Sequence, residues 1–215
     1  MSTSRLLLYN DALTICGERH LSSLSENREP RRLLDHVWDN DAVKSCLEAS
    51  QWKFAMRTVQ LDYDPAIEPE FGYPRAFSKP TDWCITSALC EDEYFASPLT
   101  RYVDEASYWY ADLDTIYVRY VSDDASYGGD LSIWTARFAD FVAAHFASKI
   151  ILKLTSDENK RNEVLKLEDV YLKRAKSSDA MSDPTKFPPQ GNWSRARQGY
   201  NASRRDRGSR GSLTG

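Results

Sequence analysis

Three histidines, His20, His36 and His145, are the side chains of this chain best suited to acid–base chemistry near neutral pH. None of them belongs to a Gly-x-Ser-x-Gly, His-Glu-x-x-His or Gly-x-x-x-x-Gly-Lys motif. His145 stands among alanines beside Phe146, which favours a hydrogen-bonded core position, and the other two are expected on the surface or between helices. The sequence therefore predicts no histidine-based active site and no enzyme.

Four acidic clusters contain the oxygen ligands that hard divalent cations prefer. They are Asp62-Tyr63-Asp64, Glu91-Asp92-Glu93, Asp112-Leu113-Asp114 and Asp123-Asp124. None has the spacing of a calcium loop, and each falls in a predicted turn, where aspartate hydrogen-bonds the nearby backbone. We expect solvated turns, with no metal and no cofactor. A hydrolase would require two of these clusters to converge on a metal ion.

The last 25 residues are strongly basic. They carry six arginines, no lysine and one acid, Asp206, so their net charge is +5 and residues 1–190 carry −9. The arginines are Arg195, Arg197, Arg204, Arg205, Arg207 and Arg210. This asymmetry is typical of an acidic body with a basic binding arm.

Arginine differs from lysine because it forms bidentate pairs with carboxylates or phosphates and stacks on aromatic rings. Trp193 and Tyr200 lie among the arginines and are typical anchors of a docked peptide. The candidate partner-binding residues are Trp193, Arg195, Arg197, Tyr200, Arg204, Arg205 and Arg207. Three interpretations remain open: docking on protein, salt-sensitive binding to nucleic acid, and a solubilising end without a role.

Length and composition indicate one principal domain followed by a tail, since 215 residues with 41% hydrophobic content bury one sizeable core. The apolar run Leu6–Tyr9 is far too short for a signal peptide or a membrane span, so we expect a soluble, unexported protein. The four cysteines contain no Cys-x-x-Cys pair and are expected to be free, buried thiols.

Hydrophobic periodicity predicts two helices at the beginning of the chain, over residues 3–16 and 30–51. Gly17 follows the first helix where a C-terminus favours positive φ, and Pro30 opens the second. Residues 54–129 form a strand-rich insert, with alternation at Val59, Leu61 and Tyr63 and further predicted strands at 83–89, 99–103, 107–110 and 116–120. Gly128-Gly129 reads as a turn.

Two further helices are predicted over residues 132–154 and 156–180. Thr155 and Glu158 have the spacing of a capping box. The expected fold is therefore α+β, with a four-helix-type helical domain (residues 1–53 and 130–182), the strand-rich insert between its second and third helices, and an extended basic arm over residues 183–215.

Several short sequences occur in a recognisable order along these elements. In chain order they are Leu8-Tyr9-Asn10-Asp11-Ala12-Leu13, Cys16-Gly17-Glu18, Leu21-Ser22-Ser23-Leu24, Gln51-Trp52-Lys53-Phe54-Ala55, Lys79-Pro80-Thr81-Asp82-Trp83, Phe138-Ala139-Asp140-Phe141-Val142-Ala143-Ala144 and Trp193-Ser194-Arg195-Ala196-Arg197. Their order and spacing over residues 6–197 resemble the tail tubular protein A, or head-to-tail adaptor, family of short-tailed bacteriophages. The motif residues to which we assign a structural role are Asn10, Gly17, Glu18, Trp52, Phe54, Pro80 and Asp82. Cys16 stands where the family more often has a small aliphatic residue, and Lys53 replaces a common asparagine.

This resemblance implies a structural protein of the virion. It implies a ring, in this family a dodecamer, that assembles beneath the portal protein after DNA packaging and presents a platform for the tail tube or nozzle. Genomic DNA would pass through the lumen without sequence-specific binding, and no membrane would be involved. The implied location is the head–tail junction, with the host cytoplasm during assembly. A nucleic-acid-binding accessory protein that acts through the arginine-rich arm is the alternative.

Overall fold

The first helix, α1 (Arg5–Cys16), begins and ends where its local sequence directs. In the computed structural model, which describes residues 3–183, the Ser4 hydroxyl accepts a hydrogen bond from the Leu7 amide at 3.3 Å. Gly17 ends the helix with φ 75°, a left-handed conformation that favours glycine. The predicted end of the first helix is confirmed.

The predicted helix over residues 30–51 is wrong as a single element. It is two helices, α2 (Glu29–Asp39) and α3 (Ala42–Glu48), separated at Asn40 and Asp41. Asp41 adopts a left-handed conformation with φ 56°. Asparagine and aspartate tolerate this conformation and are weak helix formers. The run Asp39-Asn40-Asp41 therefore interrupts the helix. The described chain therefore has five α-helices where four were predicted.

The last two helices, α4 (Ala136–Thr155) and α5 (Glu158–Met181), lie close to their predicted ranges. Thr135 caps α4, since its hydroxyl accepts from the Phe138 amide at 3.3 Å. The capping box at Thr155 is wrong because the Thr155 hydroxyl donates to the Ile151 carbonyl at the end of α4. Asp157 caps α5 instead, and its carboxylate accepts from the Asn159 amide at 2.9 Å.

Six strands occupy the predicted strand-rich segment, and the mixed α+β class is confirmed. They are β1 (Met56–Asp62), β2 (Arg75–Ser78), β3 (Trp83–Cys90), β4 (Tyr102–Asp104), β5 (Tyr108–Ala111) and β6 (Thr115–Ser122). The sequence did not predict β2, because it has only four residues after Pro74 and its two central residues, Ala76 and Phe77, are both buried. It therefore lacks the alternation that marks a half-buried strand.

The strands form two antiparallel three-stranded sheets, with the orders β1-β6-β3 and β2-β5-β4. Each strand runs opposite to the one before it, so the connections after β1, β3 and β5 gather at one end. These connections are residues 63–74, 91–101 and 112–114, and they contain eight acidic residues and one arginine. The end of the sheets at these connections is named the acidic end below.

Two buried clusters hold the described chain together. The larger contains the inner faces of α1, α3 and α4 together with Cys84 and Val121 of the first sheet. The smaller joins Phe77 and Trp109 of the second sheet to Ile116 and Val118 of the first. The first sheet therefore packs against helices on one face and against the second sheet on the other.

The turn at Gly128-Gly129 brings the backbone close to β6. The Gly128 amide donates to the Ser122 carbonyl at 3.0 Å, and a Cβ at Gly128 would lie 2.3 Å from that oxygen and 2.9 Å from Leu47 Cδ1. The Gly128 carbonyl also accepts from Trp134 Nε1 at 2.8 Å. This position therefore requires the absence of a side chain.

We expect Gly128→Ala to lower the free energy of unfolding by about 2 kcal/mol, because the added methyl group overlaps a backbone carbonyl that cannot move alone. Urea unfolding followed by tryptophan fluorescence measures the change. Ser126→Ala alters an exposed residue of the same turn and should stay within about 0.5 kcal/mol of the unaltered protein. Equal unfolding midpoints for the two variants would contradict the close approach of Gly128 to the Ser122 carbonyl.

Candidate functional site

The motif residues at the end of α1 stabilise the chain reversal that follows it. Asn10 clamps the backbone of Leu21: its Nδ2 donates to the Leu21 carbonyl at 3.1 Å, and its Oδ1 accepts from the Leu21 amide at 2.7 Å. The Gly17 amide donates to the Thr14 carbonyl, and the amide of the half-buried Glu18 donates to the Leu13 carbonyl at 2.9 Å. These contacts form a Schellman cap. They position the loop and its buried Leu21.

Trp52 and Phe54 lie in an aromatic cluster centred on Phe138 of α4. Trp52 is 1% exposed, and its Nε1 donates to the Cys46 carbonyl at 3.0 Å. The Phe138 ring centroid lies 4.9 Å from those of Trp52, Phe54 and Trp134. The two motif aromatics therefore join the segment after α3 to the inner face of α4.

Asp82 is the acceptor of a polar network at the start of β3. Its carboxylate accepts from Arg57 NH1 at 2.9 Å and from the Tyr120 hydroxyl at 3.1 Å, and it also accepts from the Ser122 hydroxyl. Tyr120 and Ser122 are fully buried on β6. The Pro80 carbonyl accepts from the Trp83 amide at 3.1 Å, which forms the turn that presents Asp82.

The pKa of Asp82 is lowered from its ordinary value. Burial of the carboxyl group is the largest influence and opposes ionisation, but the hydrogen bonds from Ser122, Arg57 and Tyr120 together outweigh it. Burial raises the pKa of the Tyr120 hydroxyl, and the neighbouring carboxylate raises it further. The network therefore holds an ionised aspartate beside a neutral tyrosine.

Lys79 is a nearly buried cation that the sequence did not single out. Its side chain is 5% exposed, and Nζ lies 3.9 Å from the Trp83 ring centroid and 2.5 Å from Asp104 Oδ1. Trp109 Nε1 donates to Asp104 Oδ2 at 3.2 Å. Lys79 follows β2 and Asp104 lies in β4, and the pairing of both strands with β5 brings the two residues together. The lysine in Lys79-Pro80-Thr81-Asp82-Trp83 was the available signal.

His145 is hydrogen-bonded and half-buried on α4. Nδ1 lies 2.7 Å from Glu168 Oε1 on α5, and Nε2 lies 3.2 Å from the Ser45 hydroxyl on α3. This order resembles a serine–histidine–acid triad, but the Ser45 hydroxyl donates its proton to the Ala42 carbonyl at 2.9 Å. The contacts link three helices. Of the other histidines, His20 is exposed beside Thr14.

The pKa of Glu168 is lowered from its ordinary value. Burial opposes ionisation most strongly, but hydrogen bonds from His145 and Ser148 and the positive charges of His145 and Lys149 outweigh it. A lowered folded-state pKa means that the unfolded chain binds the proton more tightly. The stabilisation is therefore present above the unfolded pKa and is lost as the pH falls through the folded one.

We expect Glu168→Gln to lower the free energy of unfolding by about 2 kcal/mol at pH 7, because a charge-assisted hydrogen bond between α4 and α5 becomes neutral. The difference from the unaltered protein should shrink as the pH falls below the unfolded-state pKa and through the lower folded-state pKa, because the carboxylate becomes protonated first in the unfolded chain and then in the folded one. Denaturant titrations at pH 7 and pH 3.5 measure both values. Glu163→Gln on the exposed face of α5 is the matched control. If the difference in stability between Glu168→Gln and the unaltered protein did not change with pH, the role of the Glu168 charge would be contradicted.

Three of the four acidic clusters contain an aspartate that accepts from a backbone amide in a turn, whereas Asp62 lies in β1 and accepts from the Thr115 hydroxyl. Asp92 accepts from the Ser97 amide at 2.7 Å, and Asp124 accepts from the Ser126 amide at 2.8 Å. Within residues 3–183, no three histidine, cysteine, aspartate or glutamate side chains are grouped so that they could hold a metal ion. Among the described helices, none is long and apolar enough to cross a membrane.

The cysteines are free and buried, as predicted. Burial raises the pKa of all four thiols, and that of Cys16 to about 11.

The candidate arm residues lie outside the described part of the chain. They are Trp193, Arg195, Arg197, Tyr200, Arg204, Arg205 and Arg207.

A groove of about 310 Å³ lies on the outer face of the second sheet. Its walls are the loop Pro69–Tyr73 and the residues Val103, Glu105 and Tyr110. Val103 pairs with Tyr110 across β4 and β5, so both side chains lie on the face opposite the buried Trp109. Phe71 on the loop is 88% exposed. This surface, named the outer-sheet groove, combines apolar and aromatic groups with the two carboxylates Glu70 and Glu105.

A scan of protein-family models and a comparison with curated proteins both find no match to this chain. The arrangement of the described residues is therefore the basis on which a function is assigned. Their motif residues stabilise contacts between helices and strands.

Proposed function

We propose that this chain is a structural head-to-tail adaptor of a phage virion. In this proposal the domain built from the five helices carries the strand-rich insert, and copies of the chain form a ring beneath the portal protein. The ring connects the capsid to the tail tube or nozzle and lines part of the DNA conduit. The protein is not an enzyme and requires no cofactor.

The observation that carries the proposal is the role of the described motif residues. Asn10 and Gly17 fix the end of α1, Trp52 joins the segment after α3 to α4, and Asp82 joins β3 to β6. Each stabilises the framework of the fold. A ring subunit needs such a framework because it must present two different surfaces to its neighbours, and a head-to-tail contact closes when the rotation per subunit divides the circle.

Exposed apolar groups on α5 support a role in subunit contacts. The helix has 24 residues, and of these only Val164 and Ala175 are fully buried. Leu165 and Val170 are each 40% exposed on an otherwise charged helix. Apolar side chains of this kind are suited to a neighbouring subunit or to the portal protein.

The charge of the chain is compatible with a DNA conduit. Residues 1–190 carry a net charge of −9. Like charge on a wall discourages the duplex from binding as it passes through the lumen. In this proposal the strand-rich insert faces the tail tube or nozzle, the helical domain faces the portal, and the protein resides at the head–tail junction.

Particle mass tests this proposal. Light scattering on the purified chain, alone and mixed with a candidate portal ring at moderate salt, should reveal a portal-dependent multimer. A dodecamer of the 24.6 kDa chain would add about 295 kDa to the portal. A monomer that ignores the portal would contradict the adaptor.

Duplex DNA distinguishes the alternative function, a nucleic-acid-binding accessory protein, which the composition of the arm favours. Its six arginines would make binding to DNA fall steeply as salt rises. An adaptor should show no mass shift with duplex DNA at moderate salt. A shift with DNA and none with the portal would make the accessory protein the better assignment.

A further inference from the structure

The outer-sheet groove contains two carboxylates whose charge the described chain leaves unpaired. Glu70 and Glu105 are both exposed, and neither forms an ion pair with any residue of the described range 3–183. Val103 and Tyr110 line the same groove. An apolar and aromatic surface that also carries two carboxylates fits a planar cation.

The same lobe already binds its own cations with this chemistry. The Arg75 guanidinium lies 4.0 Å from the Tyr63 ring centroid and 2.6 Å from Asp114 Oδ1. The Lys79 ammonium lies over Trp83 and is paired with Asp104. The groove repeats the combination of aromatic ring and carboxylate. Its chemistry therefore points to an arginine side chain from elsewhere.

We propose that the outer-sheet groove binds arginine side chains of the C-terminal arm of a second copy of this chain. The last 25 residues of the arm have six arginines, no lysine and a net charge of +5, and the connections at the acidic end carry eight acids against one arginine. The 32 residues from 184 to 215 span at most about 105 Å, which is ample to reach an adjacent subunit. The inference rests on the proposed function, because a ring requires each subunit to receive part of its neighbour.

Binding of a labelled synthetic peptide of residues 191–215, followed by fluorescence anisotropy, tests the proposal. The receiver is the full chain with its six arm arginines replaced by alanine, so that its own arm does not compete. We expect the double change Glu70→Gln and Glu105→Gln in this receiver to weaken binding at least tenfold. The matched double change Glu91→Gln and Glu93→Gln, at exposed acids outside the groove, should weaken it less than twofold.

Equal losses in the two receivers would overturn the proposal, because general charge attraction would then explain binding. All four glutamates are exposed, so thermal unfolding midpoints should be unchanged and confirm that every receiver is folded. A peptide with lysine at all six arginine positions should bind at least fivefold more weakly, since an ammonium group lacks the planar face of a guanidinium and cannot pair with a carboxylate in bidentate fashion. Equal affinity for the lysine peptide would also overturn the assignment.

The unaltered chain distinguishes a neighbour's arm from the chain's own arm. At a concentration where light scattering shows the unaltered chain to be a monomer, a groove open to a second copy should bind the peptide with an affinity within twofold of that of the receiver without arm arginines. Tenfold weaker binding to the unaltered chain would mean that its own arm fills the groove, which overturns the second-copy assignment. If the peptide does not bind but a ring still assembles on the portal, this inference is wrong and the adaptor function stands.

Discussion

Phe138→Ala is expected to lower the free energy of unfolding by about 4 kcal/mol. Phe138 is fully buried, and its ring contacts Trp52, Phe54 and Trp134 at centroid distances of 4.9 Å. Removing the ring leaves a cavity that the surrounding rigid aromatic groups cannot fill. Because Trp52 and Phe54 precede β1, the lost packing should also weaken the contact between the helices and the first sheet.

Urea unfolding followed by circular dichroism measures this loss. Phe71→Ala is the matched control, because it removes the same ring from a position that is 88% exposed. It should change the free energy of unfolding by less than about 0.5 kcal/mol. Similar losses for the two variants would contradict the central position of Phe138.

Asp82→Ala is expected to lower the free energy of unfolding by about 3 kcal/mol. The substitution removes the acceptor of Tyr120 and Ser122, whose hydroxyl groups are fully buried on β6 and would lose their partner. A buried donor without an acceptor costs about 1–3 kcal/mol. Arg57 loses its ion pair at the same time, although it is partly exposed and this contributes less.

The pH dependence of this loss follows from the lowered pKa of Asp82. Its contribution to stability is present above the unfolded pKa and declines as the pH falls through the lower folded-state pKa. The difference between the unaltered protein and the alanine variant should therefore be larger at pH 7 than at pH 3. Asp112→Ala, in an exposed turn, should show neither effect. A loss that is the same at both pH values would mean that the charge of Asp82 does not matter.

These two substitutions also separate stability from function. If the motif residues serve the framework, Phe138→Ala and Asp82→Ala should reduce ring assembly on the portal only through loss of folded protein. The groove variant Glu70→Gln with Glu105→Gln should do the opposite, weakening binding of the arm while the chain stays folded. Together, the two results distinguish residues that stabilise the fold, such as Phe138 and Asp82, from residues of a surface that binds a partner, such as Glu70 and Glu105.

Local sequence predicted several features that depend on residues close together in the chain. The end of α1 at Gly17 was predictable because positive φ favours glycine, and the segments of β1, β3 and β6 were predictable from their apolar residues. The break at Asn40 and Asp41 was missed because apolar residues recur at three- and four-residue spacing on each side of it, and such spacing does not register a single left-handed residue between them.

The sequence by itself determined the α+β class, the buried free thiols and the charge asymmetry between body and arm, since these follow from composition and from patterns a few residues long. Only the tertiary structure decided which polar groups meet. Asp82 contacts Tyr120 and Ser122 because β3 pairs with β6. Lys79 contacts Asp104 because the strands of the second sheet pair. The outer-sheet groove forms where a loop lies against a sheet face. Strand order and register are set by packing between distant segments, and a pattern within one segment carries no information about the segment it will pair with.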